Sequence, residues 1–307
     1  MKTSIVTGGC GFIGSHIVDK LVILGHEVRV IDNLSATENE EFYYNDRATY
    51  WQKDISKDDC SSIFVGADYV FHLAARSRIQ PTIGSPNECF EVNVVGTQRV
   101  LEWSRLNGIK RVIYSGTSSL YGKQNSIPFE PNMPADCLNP YSMSKWMGEQ
   151  ICKLYNQLYG VPSIVLRYFN VYGPREPIKG KYAPVIGLFK RRKKEGLPAT
   201  IVSPGTQKRD FTYIDDVVDA NICAMNSSFV KIPFSIYNVG TGKNYNMFEL
   251  VEMIYGKNID NNWPACTVNI ISPRPAEVKE TLADIEKTTK DLNWSPKHSL
   301  IDKIMSY

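Results

Sequence analysis

Thr7-Gly8-Gly9-Cys10-Gly11-Phe12-Ile13-Gly14 is the stretch whose reading decides the fold. Gly8, Gly11 and Gly14 stand three apart, directly after the apolar run Ser4-Ile5-Val6. They open a pattern in which Ile13, Ile17, Leu21 and Leu24 recur on one face of a helix. A strand turning tightly into a helix over glycines presents bare backbone N–H groups and the positive end of the helix dipole, a setting that suits a pyrophosphate. Asp32 ends the next apolar run, eighteen residues beyond Gly14. A carboxylate there accepts hydrogen bonds from the ribose hydroxyls of a dinucleotide. It also repels a 2′-phosphate, and Asn33-Leu34-Ser35 supplies no arginine to receive one, so the pattern selects NAD over NADP. A glycine turn and a surface carboxylate with no ligand are the plainer alternative, and the full arrangement of strand, turn, helix and acid argues against it.

Outward from that turn, residues 28–31, 69–73, 111–114 and 163–169 read as buried strands rich in β-branched and aromatic residues. Residues 90–106 and 141–159 have helical length and periodicity. Strands buried on both faces and separated by helices predict an α/β fold, a doubly wound parallel Rossmann sheet with right-handed crossovers. Residues 1–170 are expected to form this NAD-binding domain. From about residue 171 the chain is richer in Pro, Gly and Lys, with short segments at 184–196 and 199–202. Residues 171–307 are therefore expected to form a smaller C-terminal substrate-binding domain, interleaved with the first through residues 236–240, which read as a return to the main sheet.

Composition excludes several classes. The 307 residues are 43% hydrophobic and 22% charged, an ordinary globular balance that leaves no room for a disordered, collagenous or coiled-coil chain. A net charge of +3 gives no warrant for a nucleic-acid or membrane-surface protein. The one basic run, Lys190–Lys194, reads as the solvated end of an amphipathic helix. Seven scattered cysteines without a C-x-x-C pair argue against a disulfide framework or a metal site and for reduced thiols, as in the cytoplasm. No apolar run reaches membrane-spanning length, and the N-terminal stretch lacks the form of a signal peptide.

Asn139-Pro140-Tyr141-Ser142-Met143-Ser144-Lys145 opens the second long helix, with Asn139 suited to the N-cap and Pro140 to the first turn. Tyr141 and Lys145, four apart, then share a face. A phenol ordinarily titrates near 10; an ammonium beside it favours the phenolate and makes a base able to take a hydroxyl proton. Thr117, Ser118 and Ser119 follow the strand at 111–114 and offer hydroxyls at its C-terminal end, where such sheets bind ligands. Tyr-x-x-x-Lys alone is more often a packed tyrosine and a solvated lysine; the dinucleotide turn upstream changes that weighting.

With these motifs the chain resembles the extended short-chain dehydrogenase/reductase family, in its NAD-dependent nucleotide-sugar epimerase/dehydratase branch. The resemblance runs on through Asp54-Ile55, His72-Leu73-Ala74-Ala75, Asn93-Val94-Val95-Gly96-Thr97 and the stretch Arg167 to Pro174. It continues at Arg209-Asp210-Phe211, Asp215-Asp216-Val217 and Arg274-Pro275-Ala276-Glu277. It implies that Gly8, Gly11, Phe12, Ile13, Gly14, Asp32, Asn33, Leu34 and Ser35 hold NAD. Asp54, Ile55, Leu73, Ala74, Ala75, Asn93 and Tyr168 would join them, with Tyr141 and Lys145 shared between cofactor and catalysis. Thr117, Tyr141 and Lys145 would be the catalytic trio. Thr117, Ser118, Asn170, Arg209, Arg274 and Glu277 would hold a nucleotide-sugar, most simply a UDP-sugar. On the residues alone, either arginine reads equally well as an ion-pair partner. A homodimer through the two long helices is implied by the same resemblance.

Within that branch, 4,6-dehydratases follow the threonine with Asp-Glu, and decarboxylases carry a glutamate two places after it. Here those positions are Ser118 and Ser119, so elimination lacks its acid and base, and a UDP-hexose 4-epimerase is expected. The alternatives are a uronate epimerase, another sugar-nucleotide-modifying enzyme, a ketoreductase releasing NADH, or an NAD-sensing protein without activity. Thr281 falls at a position implied to limit bulk near carbon 2 of the sugar, and a packing threonine reads as well. Arg76 and Arg78 read either as receptors for an acidic sugar or as partners of surface carboxylates.

Overall fold

The computed structural model describes residues 1–36, 39, 41–180, 183–228, 232–256 and 268–307. Its centre is a seven-stranded parallel sheet: β1 (Thr3–Thr7), β2 (Glu27–Asp32), β3 (Ala48–Gln52), β4 (Tyr69–His72), β5 (Arg111–Thr117), β6 (Ser163–Tyr168) and β7 (Phe234–Val239). The order across the sheet is β7-β6-β5-β4-β1-β2-β3. Connections leave β1 in both directions, so the crevice between the ends of β1 and β4 is the switch point at which such sheets bind ligands. β1, β4, β5 and β6 are buried along their whole lengths, which explains their continuous apolar and β-branched character.

The main helices are α1 (Phe12–Ile23), α2 (Gly96–Leu106), α3 (Pro140–Tyr159), α4 (Val185–Lys194), α5 (Ile214–Asn226) and α6 (Met247–Tyr255). Ile17, Val18 and Leu21 of α1 join Val217 and Ala220 of α5 in the core on one face of the sheet. Leu101 and Trp103 of α2 join Cys152 and Tyr155 of α3 on the other. Two segments from the second half, α5 and β7, thus belong to the layers built by the first. Three short strand pairs carry the rest: Val171–Tyr172 with Thr212–Tyr213, Lys208–Asp210 with Asn244–Asn246, and Ala199–Val202 with Val268–Ile271.

Three sequence expectations need correction. β3 is absent from the strands read above, because this edge strand is only partly buried and mixes polar with aromatic residues. The helix expected over residues 90–106 is instead an α-helical turn at Pro86–Phe90, a π-helical turn at Glu91–Val95 and then α2. The widened turn carries the buried Asn93. The basic run is engaged rather than merely solvated. Lys190 Nζ donates to the carbonyl of Tyr307 at 3.1 Å, while Arg191, Arg192 and Lys193 donate to the carbonyls of Ile178, Pro198 and Ile254.

Among the described residues no helix is long and apolar enough to cross a membrane, and no group of three or more metal-ligating side chains is assembled. Cys10, Cys60, Cys89, Cys137, Cys152 and Cys223 are free, and Cys266 lies outside the described residues.

Candidate active site

A cleft of about 570 Å³ opens at the carboxyl ends of β1, β4 and β5. Its first wall is the glycine turn. Gly8 has φ +72°, and a Cβ there would meet the backbone nitrogen of Ala74 at 2.8 Å; at Gly14 it would meet the Gly8 carbonyl oxygen at 2.1 Å. Side chains are excluded where the backbone packs on itself, and Gly11, the N-cap of α1, has none to occupy the first-turn N–H groups. Gly8, Gly11, Phe12, Ile13 and Gly14 all face the cleft, so the donors needed by a pyrophosphate are free of side-chain competition.

Asp32 ends β2 and lines the cleft. Its Oδ2 accepts the Cys10 N–H at 3.0 Å and its Oδ1 the Leu34 N–H at 2.8 Å. Burial pushes this carboxyl upward while the two N–H groups pull it down. Each oxygen keeps a lone pair for a ribose hydroxyl. Asn33 donates to Asp54 Oδ2 at 3.1 Å and accepts the Ser35 N–H at 3.1 Å. Asn33, Ser35, Asp54 and Ile55 line the cleft, as do Leu73, Ala74 and Ala75 opposite. These residues fit a dinucleotide with an unphosphorylated adenosine ribose.

Not every expected residue reaches the cleft wall. Leu34 takes a left-handed φ of 57° and packs against the core, its backbone serving Asp32. Asn93 is buried: its side chain bonds both the N–H and the carbonyl of Arg76, at 2.7 and 3.0 Å, and Ser144 Oγ at 2.9 Å. It ties the loop after β4 to α3 and so positions cleft residues without joining them. Tyr168 lines the cleft, with its hydroxyl near Ser115 (3.2 Å) and Asn221 (3.0 Å). Arg209 is absent from the wall, its guanidinium paired with Glu277 Oε1 at 2.5 Å; Glu277 and Arg274 do line it. Asn170 also lines it, and donates to the Asp210 carbonyl at 2.9 Å. Thr281 is buried, accepting the Asp210 N–H at 3.3 Å, and does not reach the cleft. Arg76 and Arg78 both line the cleft, and Arg76 also pairs with exposed Glu88.

Thr117, Ser118, Tyr141 and Lys145 meet on the cleft wall. Thr117 ends β5, where its Oγ1 lies 2.9 Å from Ser119 Oγ and accepts the Ser119 N–H at 3.2 Å. Tyr141 and Lys145 are fixed by the start of α3, where Asn139 and Ser142 form a reciprocal cap around Pro140. Burial raises the Tyr141 phenol, and a hydrogen bond with Thr117 and the charge of Arg78 act against it. Lys145 does not perform the lowering expected of it: its Nζ lies over the Tyr114 ring, 4.2 Å from the centroid. Burial brings the Lys145 ammonium down to about 8, with Cys152, Glu149 and Cys89 acting against the fall.

Behind the trio lies a buried frame. Glu149, one turn beyond Lys145, accepts two bonds from Arg167, at 3.0 and 2.7 Å. Arg167 also donates to the Tyr121 hydroxyl at 2.8 Å. These bonds lock α3 to β6. His72, fully buried, lies 2.7 Å from Thr7 Oγ1 and 2.9 Å from Thr97 Oγ1, and burial brings it down to about 3, so it is neutral. Sequence reasoning missed Glu176, a buried carboxyl on the cleft wall. Its position in a Pro- and Gly-rich stretch carried no signal of burial.

The fold and this cleft define a dinucleotide-dependent α/β enzyme with a tyrosine, a lysine and a threonine together on the cleft wall. The chain belongs to the NAD dependent epimerase/dehydratase family, whose model matches residues 4–240. It is 35% identical to a putative UDP-glucose 4-epimerase of Methanocaldococcus jannaschii, over 98% of this chain and 95% of that one. The UDP-glucose 4-epimerase of Thermotoga maritima, solved with UDP-glucose, superposes with a TM-score of 0.87 at 31% identity, covering 98% and 96% of the two chains. The UDP-glucuronic acid 4-epimerase of Bacillus cereus, solved with UDP-glucuronic acid and NAD, gives 0.86 at 29%, again covering 98% and 96%. The enzyme is therefore an NAD-dependent isomerase of the UDP-sugar epimerase group, and its relatives divide over the sugar.

Proposed function

We propose that this enzyme is a 4-epimerase of a UDP-hexose. The observation that carries the reading is the meeting of Thr117, Tyr141 and Lys145 in the NAD cleft with Ser118 and Ser119 beside them. Elimination or decarboxylation would call for a carboxyl acid or base at those two positions. Bound NAD supplies reversible hydride exchange at carbon 4. Tyr141, as phenolate, takes the proton of the 4-hydroxyl and later returns it. Thr117 holds the reacting oxygen against Tyr141, its hydrogen bond and the Arg78 charge favour the phenolate, and the Lys145 ammonium is assigned to holding NAD beside them. Arg274 on the cleft wall is suited to the diphosphate, which stays held while the keto sugar turns over.

Asp32, Asn33, Ser35, Asp54 and Ile55 are assigned to the adenosine half of NAD, and Leu73, Ala74 and Ala75 to its centre. Asn170 and Glu277 are assigned to the substrate. Arg209 is assigned to holding Glu277 in place. We infer a homodimer through α2 and α3, which leave Leu106, Leu154, Leu158 and Tyr159 exposed. Reduced, largely buried cysteines fit a cytoplasmic enzyme.

The test is incubation with UDP-glucose, UDP-N-acetylglucosamine and UDP-glucuronate, followed by NMR of the products. The reading expects the carbon-4 epimer of at least one sugar and no net NADH. A product that has lost water or carbon dioxide, or a stoichiometric gain of NADH, would overturn it.

A further inference from the structure

The frame behind the cleft holds an aromatic side chain that the mechanism above does not use. Tyr114, in the middle of β5, is fully buried and absent from the cleft wall. Lys145 Nζ lies over its ring, 4.2 Å from the centroid. The Tyr114 hydroxyl donates to the Lys145 carbonyl at 3.2 Å. One tyrosine thus holds the lysine by both its side chain and its backbone. Gly148 makes room for this grip, since a Cβ there would meet the Tyr114 hydroxyl oxygen at 2.1 Å.

Lys145 is 3% exposed, and among the described residues no acceptor bonds its Nζ. Burial disfavours an ammonium unless something nearby favours its charge. Carboxylate support is limited, because Glu149 already accepts two bonds from Arg167. The face of an aromatic ring attracts a cation, most strongly where water is excluded. It does so without an oxygen that would engage the N–H groups. The His72 ring, 5.6 Å from that of Tyr114, is bonded between Thr7 and Thr97 and neutral, so it adds no competing charge.

We propose that Tyr114 is a positioning residue whose ring face keeps the Lys145 ammonium charged at the cleft wall, with its N–H groups left for the cofactor. The inference rests on the assignment of Lys145 to NAD above and deepens it. Were packing the whole role of Tyr114, an aliphatic side chain in its place would leave the charge of Lys145 as it is. The titratable groups around the pair are Tyr141, Glu149, Cys152, Cys89 and His72. Burial raises both phenols and both thiols above their ordinary values, and Glu149 is paired with Arg167. Between pH 6 and pH 9 the ammonium, brought down to about 8 by burial, is therefore the group that changes charge.

The experiment is a carbon-13 NMR titration of the full chain, labelled at lysine Cε and with NAD removed, between pH 6 and pH 9. The Lys145 signal is the one lost in Lys145→Arg. Its midpoint should stand near 8 in the parent. Tyr114→Leu removes the ring and should lower that midpoint by about one pH unit, a roughly tenfold loss of proton affinity. Tyr114→Phe keeps the ring face and should leave the midpoint within about 0.3 units of the parent. NAD affinity, read by fluorescence quenching at each pH, should weaken above the same midpoint and move with it. Should the leucine variant fold poorly, phenylalanines with one, two and three ring fluorines in place of Tyr114 keep the shape while draining charge from the face. The midpoint should then fall step by step. A midpoint unmoved in Tyr114→Leu, or in the fluorinated series, overturns the inference and leaves the NAD reading standing. A midpoint that moves while NAD affinity stays behind overturns the part that ties the ammonium to the cofactor. Failure of the parent to bind NAD at any pH overturns the cofactor reading itself.

Discussion

The glycine turn allows two neighbouring substitutions with opposite consequences. In Gly14→Ala the new Cβ would lie 2.1 Å from the Gly8 carbonyl oxygen, 2.8 Å from Gly9 Cα and 2.9 Å from the Gly8 carbonyl carbon. All three are backbone atoms, so relief requires α1 to move away from the turn by about an ångström. Overpacking of this kind costs about 3 kcal/mol, which lowers the melting temperature by roughly 6 °C for a chain of this size. In Gly11→Ala the nearest such atom, the Gly8 carbonyl oxygen, is 3.5 Å away, an ordinary contact. Gly11 has φ −84° and ψ −177°, which alanine adopts without strain. Gly11 lines the cleft, and on the proposed NAD reading its methyl group would stand against the pyrophosphate. Apparent melting temperature with NAD removed should therefore stay within a degree or two, while NAD affinity, read by quenching of protein fluorescence, should fall at least about tenfold, or ~1.4 kcal/mol. Equal NAD affinity in Gly11→Ala, or an unchanged melting temperature in Gly14→Ala, would refute the placement of the cradle.

Three other perturbations test the frame around the site. Glu149→Gln leaves the buried Arg167 guanidinium without its counter-charge and should cost about 3 kcal/mol in urea unfolding. It also removes a charge that holds the Lys145 ammonium up, so the alkaline decline of kcat, expected near pH 8, should move to lower pH. His72 titrates at about 3 in the folded chain against 6.5 ordinarily. Between those values the unfolded chain binds a proton that the native one refuses, so stability is lost as pH falls, by about 1.4 kcal/mol per pH unit from this residue. His72→Gln should remove that slope from urea unfolding between pH 4 and 6. Leu158→Glu places a charge on the exposed face of α3 and should yield a monomer by light scattering with NAD binding retained; a dimer of unchanged affinity would exclude that face as the interface.

Legibility in the sequence followed burial. β1, β4, β5 and β6 are enclosed on both faces, and their residues announce it; β3, at the sheet edge with Thr49 and Gln52 exposed and its other residues only partly buried, does not. Capping chemistry at Asn139 and Pro140 is local and was readable, and with it the start of the helix that carries Tyr141 and Lys145. The direction of Lys145 was not readable, because it depends on the Tyr114 ring in another element. The π-turn at Glu91–Val95 keeps the apolar rhythm of an α-helix, so nothing in its composition marks the turn that buries Asn93. Arg209 and Glu277 read as separate substrate contacts because their pairing joins segments 68 residues apart. Glu176 depends on Tyr307, 131 residues away.

The most direct measurement follows one hydrogen. UDP-glucose carrying deuterium at carbon 4, turned over in ordinary water by the NAD-loaded enzyme, should give UDP-galactose with the deuterium still at carbon 4. Replacing Tyr141 with phenylalanine should slow that conversion by about 10²–10⁴-fold while NAD binding persists. A product whose deuterium has washed into solvent, or a Tyr141→Phe enzyme as fast as the parent, would contradict the account.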